Sequence, residues 1–507
     1  MGVNTKSFDS ASEMITFSRA SGAYGFTKVS YGSELVTNGT FDTDVSGWST
    51  FNAVISQENQ ALRITSGNAS GNQSAYQVVS GLTVGAVYVA SLEVLETTGG
   101  QTFRVGDGVA QSQYGYSSTN TLGVHQLIFT AQTASVYITS LIFDNVGDGR
   151  SFLVDNVSVK EVTYNSSAAD ATLQLTYHPE NKPRIEYNLD GTAKGLLIEE
   201  ARTNLLLNNS NLYSARISAL KGFRVSTASV VPASTQLVVS FYLKPKSVSR
   251  KEIRVNTDAY TFPAIPTTGL PQGVWTRVET EVVTGTGGVQ SFLDLEQLTE
   301  TAPTYTQNSG IAPDGTLTAT EITDGTYTYE IWGAQLEEGS FATSFIKNEG
   351  AASTRAVDLA SIPVSKFGYN QSAGTLFVDF KTPDTAGTGG ADALELGDSA
   401  VSTNRYLIRN GLAYYRTAGG VQVVITYTPS TNNQRAGFAV QSNDAVSVVN
   451  GSTIGTDNSV TLFSNPTILG IGARAYNLAT EKLNGHIKSI QSYPRRLTDA
   501  QLHELTL

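Results

Sequence analysis

The 507-residue sequence contains no cysteine, which removes disulfides, thiolate metal sites and cysteine nucleophiles together. Charge is also sparse, at 15 % of residues, with 33 Lys and Arg against 44 Asp and Glu. The formal net charge of −11 and an isoelectric point near 5.0 repel phosphate backbones and anionic lipid heads, and no basic run offsets this. No stretch of 18 apolar residues occurs, and the N-terminal MGVNTKSFDSASEMITFSRASG lacks the apolar centre of a signal peptide. The expectation is a protein made in a cytoplasm and not embedded in a membrane. No GxxxxGKS loop is present, and Gly285-Thr286-Gly287-Gly288 lacks the lysine and the following helix. The four histidines, His125, His178, His486 and His503, show neither HxH nor HxxxH spacing.

What is abundant is the vocabulary of strands and tight turns. Glycine numbers 47, tyrosine 23 and phenylalanine 20, alongside much Ser, Thr and Val, a mixture that favours pleated structure over helix. The length exceeds one core and suggests three domains. An all-β fold of tandem β-sandwich or jelly-roll domains with a short C-terminal helix is therefore expected.

Alternating runs support this along the chain. Val87–Val94 and Ser135–Thr139 alternate apolar and polar residues, as do Leu237–Lys244 and Val274–Val282, with Trp275 read as a core residue. Leu376, Val378 and Phe380 share one face by period two. Asn410-Gly411 and Asn450-Gly451 each interrupt an alternating run and predict type I′ hairpins. Near the end, Thr498 is a helix N-cap, Gln501 completes a capping box and Leu497 with Leu502 forms a hydrophobic staple.

Two phrases frame the middle of the chain: Gly195-Leu196-Leu197-Ile198-Glu199-Glu200-Ala201-Arg202-Thr203-Asn204 and Trp332-Gly333-Ala334-Gln335-Leu336-Glu337-Glu338-Gly339-Ser340-Phe341-Ala342-Thr343-Ser344. Each reads as a buried strand reaching the surface, with its glutamates in a solvated turn. Adjacent strand residues point to opposite faces, so neither glutamate pair can act on one bond. The pair of phrases resembles the middle module of tailed-bacteriophage and prophage virion proteins, fibres and related adhesins. In that family a phrase like Phe17-Ser18-Arg19-Ala20-Ser21 is closely followed by one like Pro183-Arg184-Ile185-Glu186-Tyr187-Asn188. Here about 160 residues intervene, which implies an inserted domain at an exposed turn.

The insert, 33–162, resembles a galactose-binding-like jelly roll of the carbohydrate-binding type, from Asn38-Gly39-Thr40-Phe41 and Trp48 to Asp155-Asn156-Val157-Ser158-Val159. The resemblance implies a structural calcium near Asp155 and Asn38, since carboxylate and loop carbonyl oxygens suit that ion. Residues 1–32 and 163–355 form the middle module, 356–372 a linker, and 373–507 a domain resembling the concanavalin-like, laminin-G-type end of phage fibres.

Sugar rings stack on exposed aromatics flanked by polar side chains. The candidates are Tyr114 and Tyr116 in Gln111-Ser112-Gln113-Tyr114-Gly115-Tyr116-Ser117, and Trp48, although related modules bury the corresponding tryptophan. No catalytic set is found. The resemblance implies a non-enzymatic tail fibre or receptor-binding adhesin of a virion assembled in the host cytoplasm, recognising host surface glycan, contacting other virion proteins and forming a homo-oligomer, a trimer. The alternatives are a head fibre, spike, decoration or collar component with an assembly role, and a polysaccharide depolymerase.

Overall fold

The computed structural model describes residues 14–507 apart from 68–70, 121, 145–148, 207–221, 227–234, 248–251, 257–262, 264, 284–291, 298–303, 317, 324–326, 349–350 and 384–389. The fold is all-β, a series of antiparallel sheets packed in pairs, with one short helix, Asp499–Thr506, at the end.

The first sheet of the N-terminal jelly roll is ordered Gly123–Thr130, Val87–Thr97, Ser151–Tyr164, Ala23–Tyr31 and Thr172–His178, with Ala61–Ser66 and Ala53–Glu58 added along the 14-residue Ser151–Tyr164 strand, so two strands from outside 33–162 extend the sheet of that segment. Its second sheet runs Ser49–Phe51, Gly71–Ser80, Ser135–Asp144, Gln101–Gly106 and Gly115–Ser118. Between them lie Phe41, Trp48, Tyr88, Phe103, Phe129 and Phe152. The two ends of the insert are neighbours: Tyr31 pairs with Val162, and the Gly32 N–H donates to Glu161 O at 2.9 Å.

A second pair of sheets is built on Gln236–Pro245 and Thr328–Glu338, with Phe241, Leu243, Ile331 and Leu336 in its core. Its outer side packs Trp332, Tyr242 and Phe345 against Leu175, with Tyr24 and Phe26 beside them, joining it to the jelly roll. Trp275 belongs to this contact, half-buried, with its Nε1 donating to Ile311 O at 3.0 Å.

The C-terminal sandwich consists of two seven-stranded sheets. Leu376, Val378 and Phe380 enter its core together, and Thr498 caps the helix in a complete capping box with Gln501. The Asn450-Gly451 turn has both residues at positive φ (48° and 70°), as a type I′ turn requires. At Asn410-Gly411 only Gly411 does (92°). Asn410 is held otherwise, its side chain donating to Ser430 O and accepting from the Ser430 N–H, both at 3.1 Å.

Three of these fourteen strands come from far upstream. Thr16–Ser18 edges one sheet beside Leu359–Pro363, and the Arg184–Tyr187 and Ala193–Ile198 hairpin joins the other, Leu197 pairing with His486. The GLLIEE strand, read in the sequence with the middle module, thus hydrogen-bonds to the C-terminal sandwich.

Where the modules meet, a buried ionic knot adds to the apolar contact. Arg184 Nη2 lies 2.5 Å from Asp358 Oδ2 and its Nη1 lies 2.9 Å from Glu199 Oε2, while Arg19 reaches Asp358 Oδ1 at 3.1 Å. Arg355 adds a longer contact to Glu199, 3.5 Å. All five side chains are buried. The surplus positive charge is met by carbonyl oxygens: Arg19 Nη2 donates to those of His178, Pro179 and Lys182, and Arg355 Nη2 to that of Glu200. Lys482 Nζ donates to Asp358 O at 2.5 Å, and its burial lowers its pKa to about 8. Burial also costs the Glu199 carboxylate, but Arg355, Arg184 and the Ser344 N–H and Oγ hold it well below its ordinary range. Desolvating such charges is affordable only when every one is paired.

The solvated-turn reading of the glutamates holds for half of each pair. Glu199 is 5 % exposed and Glu337 fully buried, Glu337 accepting from Gln335 Nε2 (2.7 Å) and the Thr343 N–H (3.0 Å). Glu338 is exposed, and Glu200 meets Arg202 Nε at 2.5 Å near the surface. The alternation that separates the two faces sends one carboxylate of each pair inward, where partners from distant segments await it.

Candidate functional site

The second sheet of the jelly roll presents one side to its core and the other away from it. Ala75, Val79, Val136, Ile138, Ile142, Phe103 and Val105 fill the core. Period two therefore places Tyr76, Val78, Tyr137, Thr139, Arg104 and Tyr116 on the outer side. The register aligns them. Ser49, Tyr76, Thr139, Arg104 and Tyr116 stand in one row across all five strands, and Phe51, Ser74, Leu141, Thr102 and Ser118 in the next. Such a row is about 19 Å long, four inter-strand spacings.

The face is aromatic and partly open. Tyr116 is 64 % exposed, Phe51 48 % and Val78 46 %. The Tyr76 and Tyr137 rings sit 6.0 Å apart at 36°. Arg104 lies 6.0 Å from the Tyr116 ring centre and is held there by Nε donating to Thr102 Oγ1 (3.1 Å) and Nη1 to Ala110 O (2.8 Å). A guanidinium fixed in this way offers donors without paying again for side-chain ordering. No carboxylate lies in either row.

The residues expected from the sequence fall in different places. Tyr116 is on the face. Tyr114 is not: the Gly115 N–H closes a turn onto Ser112 O, and Gly115 at φ 138° breaks the alternation. The Tyr114 ring consequently packs against Phe129 at 5.4 Å, at the rim of the core. Trp48 is a core residue, 9 % exposed, with Phe41 at 5.4 Å and its Nε1 donating to Asn38 O at 3.1 Å, so it offers no face to a ligand. Tyr76, Tyr137 and Arg104 escaped sequence reading. Their signal was an aromatic or arginine in the polar phase of an alternating strand, as in Ser74-Ala75-Tyr76-Gln77.

Asn38 and Asp155 are each engaged by other partners. The Asn38 amide donates to Asp44 O (3.0 Å), Asp44 Oδ1 (3.1 Å) and Ser46 O (3.1 Å) within its own loop. Asp155 Oδ1 accepts from the Asn156 N–H at 2.7 Å. Burial raises the Asp155 pKa, and Glu93 and Asp42 add repulsion. Among the described residues, no three Asp, Glu or His side chains converge to hold a metal.

No family model and no curated protein matches the chain. Among solved structures it is similar to the N-terminal CBM22-1–CBM22-2 tandem domain of Paenibacillus barcinonensis Xyn10C, at 11 % identity over 61 % of this chain and 98 % of that one, with a TM-score of 0.20. It is also similar to the Trypanosoma rangeli sialidase in complex with the inhibitor DANA, at 10 % identity over 90 % and 94 % of the two chains, TM-score 0.24. An anti-sigma factor domain-containing protein follows at 9 % identity, 61 % and 97 %, and 0.13. At these scores none of the three bears on what the chain binds.

Proposed function

We propose that the chain is a glycan-binding structural protein that holds polysaccharide along the outer face of the five-stranded sheet. The observation that carries this is the row in which Tyr76, Arg104 and Tyr116 flank the buried Thr139, with Phe51 and Tyr137 beside them. Aromatic rings receive the flat apolar side of sugar rings, and Arg104 supplies hydrogen bonds to hydroxyls. A row spanning five strands suits an extended polymer, and without a carboxylate in it the reading is binding without cleavage.

Placement in a tailed-phage virion, as a fibre or adhesin, and assembly into an oligomer rest on the resemblance of the sequence phrases to that family. The convergence of those phrases on one buried knot supports treating them as one structural unit. A glycan array probed with the full chain tests the binding reading. Retention of a subset of bacterial surface glycans that Tyr76→Ala/Tyr116→Ala abolishes is expected. Unchanged retention by that variant overturns the assignment to this face, and release of reducing ends from a retained polysaccharide overturns binding without cleavage.

A further inference from the structure

The first sheet of the jelly roll curls, so that its edge strands, Gly123–Thr130 and Thr172–His178, are bridged by one segment of the neighbouring module. The Leu175 N–H donates to Pro313 O at 3.2 Å, and Gln126 Nε2 to Asp314 O at 2.9 Å. The apolar floor is Val89, Ile128 and Val162, backed by Val29, Val87 and Tyr164. Above it lies a cleft of about 510 Å³, within the size range of ligand sites.

The cleft is a different kind of place from the sheet face: short, walled on several sides and polar at its rim. Tyr31, 41 % exposed, and Leu122, 54 % exposed, stand at its mouth. Gln174 Nε2 donates to Tyr31 Oη at 2.6 Å, fixing the ring's edge and leaving the amide oxygen as an acceptor. Asp314, lining the cleft, accepts from the Thr316 N–H (3.1 Å) and Oγ1 (2.7 Å), both on Oδ1, which fixes its carboxylate. Lys347 also lines the cleft, so it carries one charge of each sign and selects neither a polyanion nor a polycation.

The second observation is Thr176. It lines the cleft, is 4 % exposed, and its Oγ1 has no hydrogen-bond partner among the described residues. A buried hydroxyl left unpaired is destabilising, and a ligand hydroxyl would relieve it.

We propose that this cleft is a separate binding site for a small neutral saccharide, a mono- or disaccharide, seated on Tyr31 and the valine floor and hydrogen-bonded by Gln174, Thr176 and Asp314. Mixed donors and acceptors round an aromatic and aliphatic bed match a sugar ring, which has hydroxyls at its edge and C–H groups on its faces. Because its walls come from two modules, occupancy also braces them against each other. The site is independent of the polymer-binding face.

Saturation-transfer NMR on the full chain, with free glucose, galactose, mannose, rhamnose and N-acetylglucosamine and β-linked disaccharides of glucose, galactose and N-acetylglucosamine as probes, tests this. At least one probe is expected to give a signal with a Kd that rises about tenfold or more in Thr176→Val and in Gln174→Ala and stays unchanged in Tyr76→Ala/Tyr116→Ala. Thr176→Val is near-isosteric and removes only the unpaired hydroxyl, so its melting temperature should hold or rise. No signal from any probe, or a signal that both cleft variants leave unmoved, overturns the site. A signal lost only in the tyrosine variant overturns the cleft and leaves the sheet face standing.

Discussion

The ionic knot and the sheet face differ in almost every physical respect. The knot is buried, charged and assembled from segments as distant as Arg19 and Lys482, whereas the face is partly exposed, aromatic and built within one module. The knot is also where the recognisable phrases go: Arg19, Arg184, Glu199 and Ser344 belong to them, and Arg355 and Asp358 come from the segment that follows. What reads as a signature in the sequence is therefore the fastening between modules, while the candidate binding residues lie in stretches with no distinctive wording. A buried ion cluster tolerates little change because each member leaves the others uncompensated, and a sugar platform needs only aromatic surface at suitable positions.

The largest effect should come from cutting the knot. Arg184→Met leaves Asp358 and Glu199 buried with fewer partners and is expected to cost about 3–5 kcal/mol, read as a fall in the denaturant midpoint. Glycan retention per folded molecule should persist. If Arg184→Met abolished retention with the fold intact, the division between fastening and binding would be wrong.

On the other side, Tyr116→Ala and Tyr76→Ala should each weaken polysaccharide binding about tenfold. Both tyrosines lie on the outer side of the sheet, so the melting temperature should barely move. A large loss of stability instead would make the face part of the core.

Acid should act first on the knot and on the separate Glu186–His486 pair, whose His486 Nε2 and Glu186 Oε2 lie 2.8 Å apart. Burial opposes ionisation of Glu186, but its hydrogen bond and charge interaction with His486 bring its pKa down to about 2 from 4.5, and Glu199 is shifted the same way. A folded-state pKa below the unfolded one gives stability that is complete above about pH 4.5 and is lost as pH falls towards 2. Urea midpoints should decline over that window, and Glu186→Gln should flatten its own share of the decline. A midpoint that rose on acidification would contradict the pairing.

The smallest effect concerns Trp48. Trp48→Phe removes one hydrogen bond to Asn38 O and should cost about 1–2 kcal/mol without changing glycan retention. Weakened retention at unchanged stability would return Trp48 to the site.

Much of the fold was legible because period two is a local property. The strand faces at Leu376, Val378 and Phe380, the Asn450-Gly451 hairpin and the Thr498 cap each depend on residues a few positions apart. Sheet membership is not local: nothing in Gly195–Ile198 tells that its partner is Gly485–Tyr493. The burial of Glu199 and Glu337 was hidden for the same reason, since their partners lie at Arg184 and Arg355 and at Thr343 across a turn. Tyr116 was legible as a surface aromatic among small polar neighbours. Tyr114, two residues earlier, was misread because Gly115 reverses the phase.

The most direct test labels the full chain with 3-fluorotyrosine and follows its fluorine spectrum while a retained polysaccharide is added, the resonances being assigned by single Tyr→Phe substitutions. The resonances of Tyr76, Tyr116 and Tyr137 should shift together with one apparent Kd, and those of Tyr406 and Tyr415, buried in the core of the C-terminal sandwich, should stay fixed. Binding that leaves the three face tyrosines unmoved would contradict the assignment of this sheet as the glycan platform.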